Sequence, residues 1–294
     1  MLFPSFATGS TQVNGVEIAY VSGGRADGPP LLLLHGHPQT RAIWHRVAPL
    51  LASGYRIVAA DLRGYGDSAK PPGRPDHYNY SKREMARDMV QLMRSLGHES
   101  FFICAHDRGA RVAHRLCLDH ASAVRKAVLL DIAPTLAMYE GTNLAFAQAY
   151  WHWFFLIQPH PLPERMIEAD PEFFVRNVMS RGTRGLDAFA PEALAEYVRC
   201  AKLPATVHAI CEDYRAAATV DLEHDRADRA AGRKLHVPLR VYWGAEGVIE
   251  RCFNALALWR DYATEVDGEA LPCGHYIPEE APDALATRLL DFFR

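Results

Sequence analysis

The sequence predicts an α/β fold: a mostly parallel sheet flanked by helices, with a helical lid inserted late in the chain. Three observations predict it. Short apolar runs alternate with amphipathic stretches up to about residue 133, the runs then vanish for about a hundred residues, and they resume at Leu239. Leu31–Leu34, Arg56–Ala60, Phe101–Ala105 and Ala127–Ile132 are bounded by turn residues and suit strands buried on both faces. Between them Ser81–Leu96 and Arg108–His120 carry helical periodicity; in the second, Ala113, Leu116, Cys117 and His120 share a face. From Pro134 to His236 aromatics and helix formers dominate, as in Asn143–Ile157. Strand character returns at Leu239–Trp243 and Glu265–Leu271, and Pro282–Phe293 reads as a closing helix. The expected division is a first core part (1–133), a helical lid (134–236) and a second core part (237–294). Ligands of open α/β sheets bind beyond the carboxyl ends of the strands, so the expected site lies between core and lid.

Composition narrows the function classes. With 32 Lys and Arg against 35 Asp and Glu, the 294-residue chain carries −3, which offers no field for nucleic acid or an anionic membrane. No apolar run approaches the roughly 20 residues that span a bilayer, and the first residues lack the basic and apolar parts of a secretory leader. The six cysteines (Cys104, Cys117, Cys200, Cys211, Cys252, Cys273) form no C-x-x-C pair, which suggests reduced thiols and a cytoplasmic protein. The expected partners are a small anionic substrate and, beyond it, at most a second copy of the chain in a homodimer.

The chemistry concentrates at three turns. In Phe101–Arg111 an apolar strand runs into Ala105-His106-Asp107-Arg108-Gly109 and then directly into a helix. That is the layout of a nucleophile elbow, with aspartate where serine is often found and Ala105 where glycine is usual. The plainer reading makes Asp107 a helix N-cap. Leu31–Leu34 opens into His35-Gly36-His37-Pro38, where the His37 N–H, with that of Arg108, would form an oxyanion hole. Near the end, Gly274-His275 lies between the last strand and the last helix, the place of the base in this chain order. The acid that orients it must sit at a strand end; Asp131 is favoured over Glu246 because it follows the cleaner strand. The loop Asp61–Ser68 superficially resembles a dinucleotide fingerprint, but the next residue is Ala69 and the loop reads as structural. No organic cofactor and no metal-ligand spacing is expected.

These residues resemble the α/β-hydrolase fold, in particular its fluoroacetate (haloacetate) dehalogenases. The resemblance runs nearly the whole length and is carried by Leu33–Thr40, His106–Arg111, Leu130–Thr135, Tyr150–Trp153 and Cys211–Ala216. It implies Asp107 as nucleophile, His275 as base and Asp131 as acid. It further implies Arg108 and Arg111 as a clamp for the substrate carboxylate, and His152, Trp153 and Tyr214 as ligands of the leaving halide. His37 departs from the pattern, which usually has an aromatic such as Phe.

The implied roles suit the residue types. Arg108 and Arg111 are one turn apart at a helix start beside Asp107, where guanidinium forks match a carboxylate; Arg115 reads as structural. Imidazole, indole and phenol are N–H and O–H donors, although lid aromatics more often pack, as expected of Trp151, Phe154 and Phe155. The expected reaction is hydrolysis of short 2-haloacids to 2-hydroxy acids and halide through an aspartyl ester. The rival is an epoxide hydrolase using the same triad, with Tyr214 and either Tyr139 or Tyr150 activating the ring oxygen. A non-catalytic receptor on the same fold is the third reading.

Overall fold

The computed structural model describes residues 2–180 and 185–294; residues 181–184 of the expected lid lie outside the described residues. An eight-stranded sheet forms the centre, built of β1 (Phe6–Val13), β2 (Val16–Gly24), β3 (Pro30–Leu34), β4 (Arg56–Ala60), β5 (Phe101–His106), β6 (Val124–Leu130), β7 (Leu239–Gly244) and β8 (Val266–Leu271). Its order is β1-β2-β4-β3-β5-β6-β7-β8. From β4 to β8 all neighbours are parallel, whereas β1–β2 and β2–β4 are antiparallel.

Strand alternation divides the core into two faces. Leu32, Leu34, Val58, Ile103 and Ala105 pack with Met85, Met89, Val112 and Leu116 of the helices Lys82–Ser95 and Arg108–Asp119. Leu31, Leu33, Ile57, Cys104 and Val128 pack on the other side with Val47, Leu51, Leu285 and Leu289. The four leucines of β3 are fully buried, and each contributes roughly 1.5–3 kcal/mol of apolar burial. Helix Lys82–Ser95 starts where the sequence caps it: the Ser81 hydroxyl accepts from the Glu84 N–H at 3.2 Å.

Six strands occupy the segments read from the sequence; the hairpin β1–β2 was not among them. Strand β6 stops at Leu130, two residues before the expected end, because Asp131 turns the chain at φ 51°. Between β6 and β7 the described residues form helices from Thr135 to Ala230 and no strand. Asn143–Ile157 is two short helices, Leu144–Ala149 and Trp151–Leu156, separated at Tyr150. No helix among the described residues is long and apolar enough to cross a membrane.

Candidate active site

The carboxyl ends of β3, β5, β6, β7 and β8 deliver the site. Asp107 follows β5 with φ 46° and ψ −113°, a sharp turn that no side-chain cap supports. The N-cap reading therefore fails, and the carboxylate points away from its helix. Two glycines permit this approach. A Cβ on Gly109 would lie 2.4 Å from the His35 carbonyl, and one on Gly36 would lie 2.4 Å from Asp107 itself.

Asp107 Oδ1 accepts the His37 N–H at 2.8 Å, so the backbone donor expected in the oxyanion loop is in contact with the carboxylate. Oδ2 is left facing His275, whose Nε2 lies 4.0 Å away. Asp131 Oδ2 takes His275 Nδ1 at 2.5 Å, and its Oδ1 accepts the Gly244 N–H at 2.8 Å. The turn bearing Asp131 is pinned on both sides: its own N–H donates to the Tyr242 carbonyl, and Trp259 Nε1 donates to that of Ile132. Glu246, the other candidate acid, is exposed.

Electrostatics poise the pair. Burial would raise the Asp107 carboxyl, but His275, His106, Arg108 and Arg111 outweigh it and hold the group well below the usual carboxylate range. Burial alone would lower His275, yet its bond to Asp131 and the charges of Asp131, Asp107 and Glu280 leave it raised above the ordinary imidazole value.

A cavity opens above Asp107 and His275, walled by His37, Tyr150, His152 and Tyr276. Behind this wall lie the other predicted residues, all buried. The Arg108 guanidinium sits over the Tyr214 ring at 4.1 Å, and that of Arg111 over Trp153 at 4.6 Å. His37 stacks on His152 at 6.0 Å and meets Tyr214 edge-on at 5.4 Å. Four donor atoms in this group are buried without a partner among the described residues: Arg108 Nη1, Arg111 Nε, Trp153 Nε1 and Tyr214 Oη. Unpaired buried donors cost roughly 1–3 kcal/mol each, so their clustering marks a place built for an acceptor.

Arg108 differs from the expected free fork. Its Nε and Nη2 are committed to Asp213 at 2.8 and 2.9 Å, with Lys82 and Tyr65 on the same carboxylate. Only Nη1 remains for a ligand. Arg111 is anchored more lightly, by Nη1 to the Thr135 hydroxyl at 2.8 Å and to the Ala133 carbonyl. Arg115 is structural as expected, paired with Asp225 and Asp228.

Three positioning residues escaped the sequence reading. His106 Nε2 donates to the His275 carbonyl at 2.8 Å, and burial with the nearby His275 charge pushes its own titration down to about 3, so it stays neutral. Glu280 accepts the N–H groups of Gly274 and Tyr276, bracketing His275. Asp213 fixes Arg108. The glycine-bearing loop is held by Asp61, which accepts the N–H groups of Arg41 and Asp67.

Comparison with known proteins agrees with this architecture. The family model for the alpha/beta hydrolase fold matches residues 29–201. A fluoroacetate dehalogenase of Burkholderia sp. is 45% identical over 292 residues, 99% of this chain and 95% of the relative. A soluble epoxide hydrolase of Corynebacterium sp. (strain C12) is 32% identical over 285 residues, covering 96% and 95%. A crystal structure from Nostoc sp. PCC 7120, assigned to the α/β hydrolases, superposes with a TM-score of 0.96 at 52% identity, covering 100% and 99%. With the elbow, its facing histidine and the sheet order in agreement, the chain belongs to the α/β-hydrolase fold family.

Proposed function

We propose that this protein hydrolyses the carbon–halogen bond of short 2-haloacids such as fluoroacetate and chloroacetate, giving the 2-hydroxy acid and halide. The observation that carries the reading is the set of unpaired donors on Arg108, Arg111, Trp153 and Tyr214 around an ionised Asp107. Two cations suit a carboxylate; the indole and phenol suit a departing anion. The relative named for fluoroacetate supports the same reading.

Each step then has its atoms. Asp107 Oδ2 attacks the α-carbon while halide leaves toward Trp153, Tyr214 and His152, forming an aspartyl ester. Water, losing its proton to His275 Nε2, attacks the Asp107 carboxyl carbon. The oxyanion develops on Oδ1, already at the His37 N–H, with the Arg108 N–H as the second donor. The 2-hydroxy acid leaves with its alkoxide protonated by His275, and Asp107 keeps one oxygen from water, whose remaining proton passes to solvent and restores the carboxylate. Splitting the displacement into two steps makes each easier than direct attack by water. No step calls for an organic cofactor or metal, and the reduced cysteines suit a cytoplasmic setting.

The epoxide reading has one observation in its favour: the Tyr214 and Tyr139 hydroxyls are both buried without partners among the described residues. Tyr139 packs on Trp153 at 5.1 Å. A neutral epoxide would leave the two guanidinium donors unpaired in a dry pocket, which is costly. Halide release from fluoro-, chloro- and bromoacetate, run beside hydrolysis of styrene oxide, separates the readings. Turnover of the epoxide without halide release from any acid would sink the dehalogenase assignment.

Arg111→Leu tests the clamp. Removing one member of a buried charge pair costs on the order of 2–5 kcal/mol. Chloroacetate turnover should fall accordingly, while the neutral chloroacetamide should lose far less. Equal losses for acid and amide would remove Arg111 from carboxylate recognition.

The halide donors have a different signature. Tyr214→Phe and Trp153→Phe keep a ring under Arg108 and Arg111 but delete the O–H or N–H. Losing a preorganised donor costs roughly 2.7–4 kcal/mol where charge is fully developed. Fluoride carries the most concentrated charge, so fluoroacetate should suffer most, chloroacetate less and bromoacetate least, with little change in Tm. Uniform slowing of all three would mean these aromatics only pack.

A further inference from the structure

We propose that His160, Glu164 and His208 form a binding site for one divalent ion of the zinc class at the surface of the helical segment, apart from the catalytic centre. His160 stands just ahead of helix Leu162–Ala169, whose first turn carries Glu164, and His208 lies on helix Pro204–Ala218. The folded chain brings their ligand atoms within 4.8 Å of one another. Zinc–ligand bonds near 2.1 Å in a tetrahedral set imply ligand separations of about 3.4 Å. The remaining closure falls to His160, which is exposed and makes no hydrogen bond among the described residues. Its ring already meets that of His208 edge to face at 5.7 Å.

The surroundings favour a cation. Glu164 is buried, and Arg215 grips its carboxylate at 2.7 and 3.0 Å while also pairing with Glu212 at 2.8 Å. Two carboxylates against one guanidinium leave one negative charge before any histidine is counted. Arg215 thus orients Glu164 as an outer partner orients a ligating carboxylate. His208 Nδ1 already points at Glu164 Oε1, 3.3 Å away. The ion would take the Nδ1 lone pair and send that proton to Nε2. The cost is the long 3.3 Å contact from the Gly73 N–H to Nε2, and that amide is half-exposed and can turn to water. Two imidazoles with one carboxylate select zinc-like ions over magnesium or calcium, which demand more oxygen ligands.

Such an ion would tie helix Leu162–Ala169 to the helix bearing Asp213 and Tyr214 and so stabilise the region that closes the active site. The test uses the full chain without an affinity tag, stripped by chelator, titrated calorimetrically with Zn²⁺ and in parallel with Mg²⁺. One Zn²⁺ should bind per chain, Mg²⁺ should not, and Tm should rise with Zn²⁺ by mass action. His160→Ala and His208→Gln should each weaken binding by more than the roughly tenfold that loss of even an outer partner costs. His236→Ala, on an exposed histidine elsewhere, should leave it unchanged. Because His160 is exposed, its variant keeps the fold, which circular dichroism verifies. Absence of Zn²⁺ binding, or equal binding by the native chain and the two ligand variants, overturns the site.

Discussion

Asp107→Ala should reduce haloacetate turnover by a factor on the order of 10⁴ or more, the scale reached when an attacking group is removed. Asp107 is the only carboxylate at the elbow, and its charge survives burial because His275, Arg108 and Arg111 hold it ionised. The variant should fold, since the substitution keeps the Cβ of residue 107 and adds no bulk where Gly36 and Gly109 let the chains approach closely. Loss of activity alone does not identify a nucleophile, so the chemistry needs a second measurement. In a single turnover of the native enzyme in heavy-oxygen water, the 2-hydroxy acid should carry ordinary oxygen, because its new hydroxyl oxygen was Asp107 Oδ2. The label should appear in the peptide containing Asp107. Labelled product in the first turnover would mean that water attacks the substrate directly, and Asp107 would then be at most a base.

The parts of the site legible in the sequence were those written in contiguous turns. The elbow reads directly because strand, aspartate and helix follow one another without a gap, and His275 reads because its loop joins the last strand to the last helices. Asp131 could be preferred over Glu246 only on strand quality, whereas the fold places Asp131 buried against His275 and Glu246 exposed. What stayed hidden depends on distant pairings. Asp213 reaches Arg108 across 105 residues, and nothing local in either segment announces that two of the three Arg108 guanidinium nitrogens are already spent. Glu280 and His106 hold His275 through its neighbours and its own backbone, which no side-chain pattern encodes. The hairpin β1–β2 was missed for a simpler reason. Strand β1 lies at the sheet edge and is largely exposed, so Thr8, Ser10 and Gln12 supply no apolar run. The cluster of His160, Glu164 and His208 was invisible for a third reason: its last member joins from another helix, and only packing supplies the ligand set.

His275→Asn should separate the two chemical steps. Ester formation needs the Asp107 carboxylate, the arginine clamp and the halide donors but no base, so one equivalent of halide should be released and turnover should then stop. Mass spectrometry should find the carboxymethyl ester on the peptide containing Asp107, because nothing remains to take the proton from water. The geometry explains the division: Nε2 is 4.0 Å from Oδ2, too far to hydrogen-bond the nucleophile but suited to a water beside the ester carbon. The electrostatics favour the same order. Part of what raises His275 is the negative charge of Asp107, and alkylation abolishes that charge. The imidazole therefore releases its proton more readily once the ester exists, when a neutral base is required. On the acid side, kcat should fall as His275 becomes protonated, wherever hydrolysis of the ester limits turnover. The first halide burst should persist to lower pH, since the Asp107 carboxyl is held below the ordinary range. Asp131→Asn should slow ester hydrolysis strongly by removing the charge and the 2.5 Å bond that hold His275, whereas Glu246→Gln should leave it near native. Multiple turnovers by the His275 variant, or halide release without the adduct, would refute its role. A burst that dies at the same pH as kcat would show that His275 is already needed for the first step.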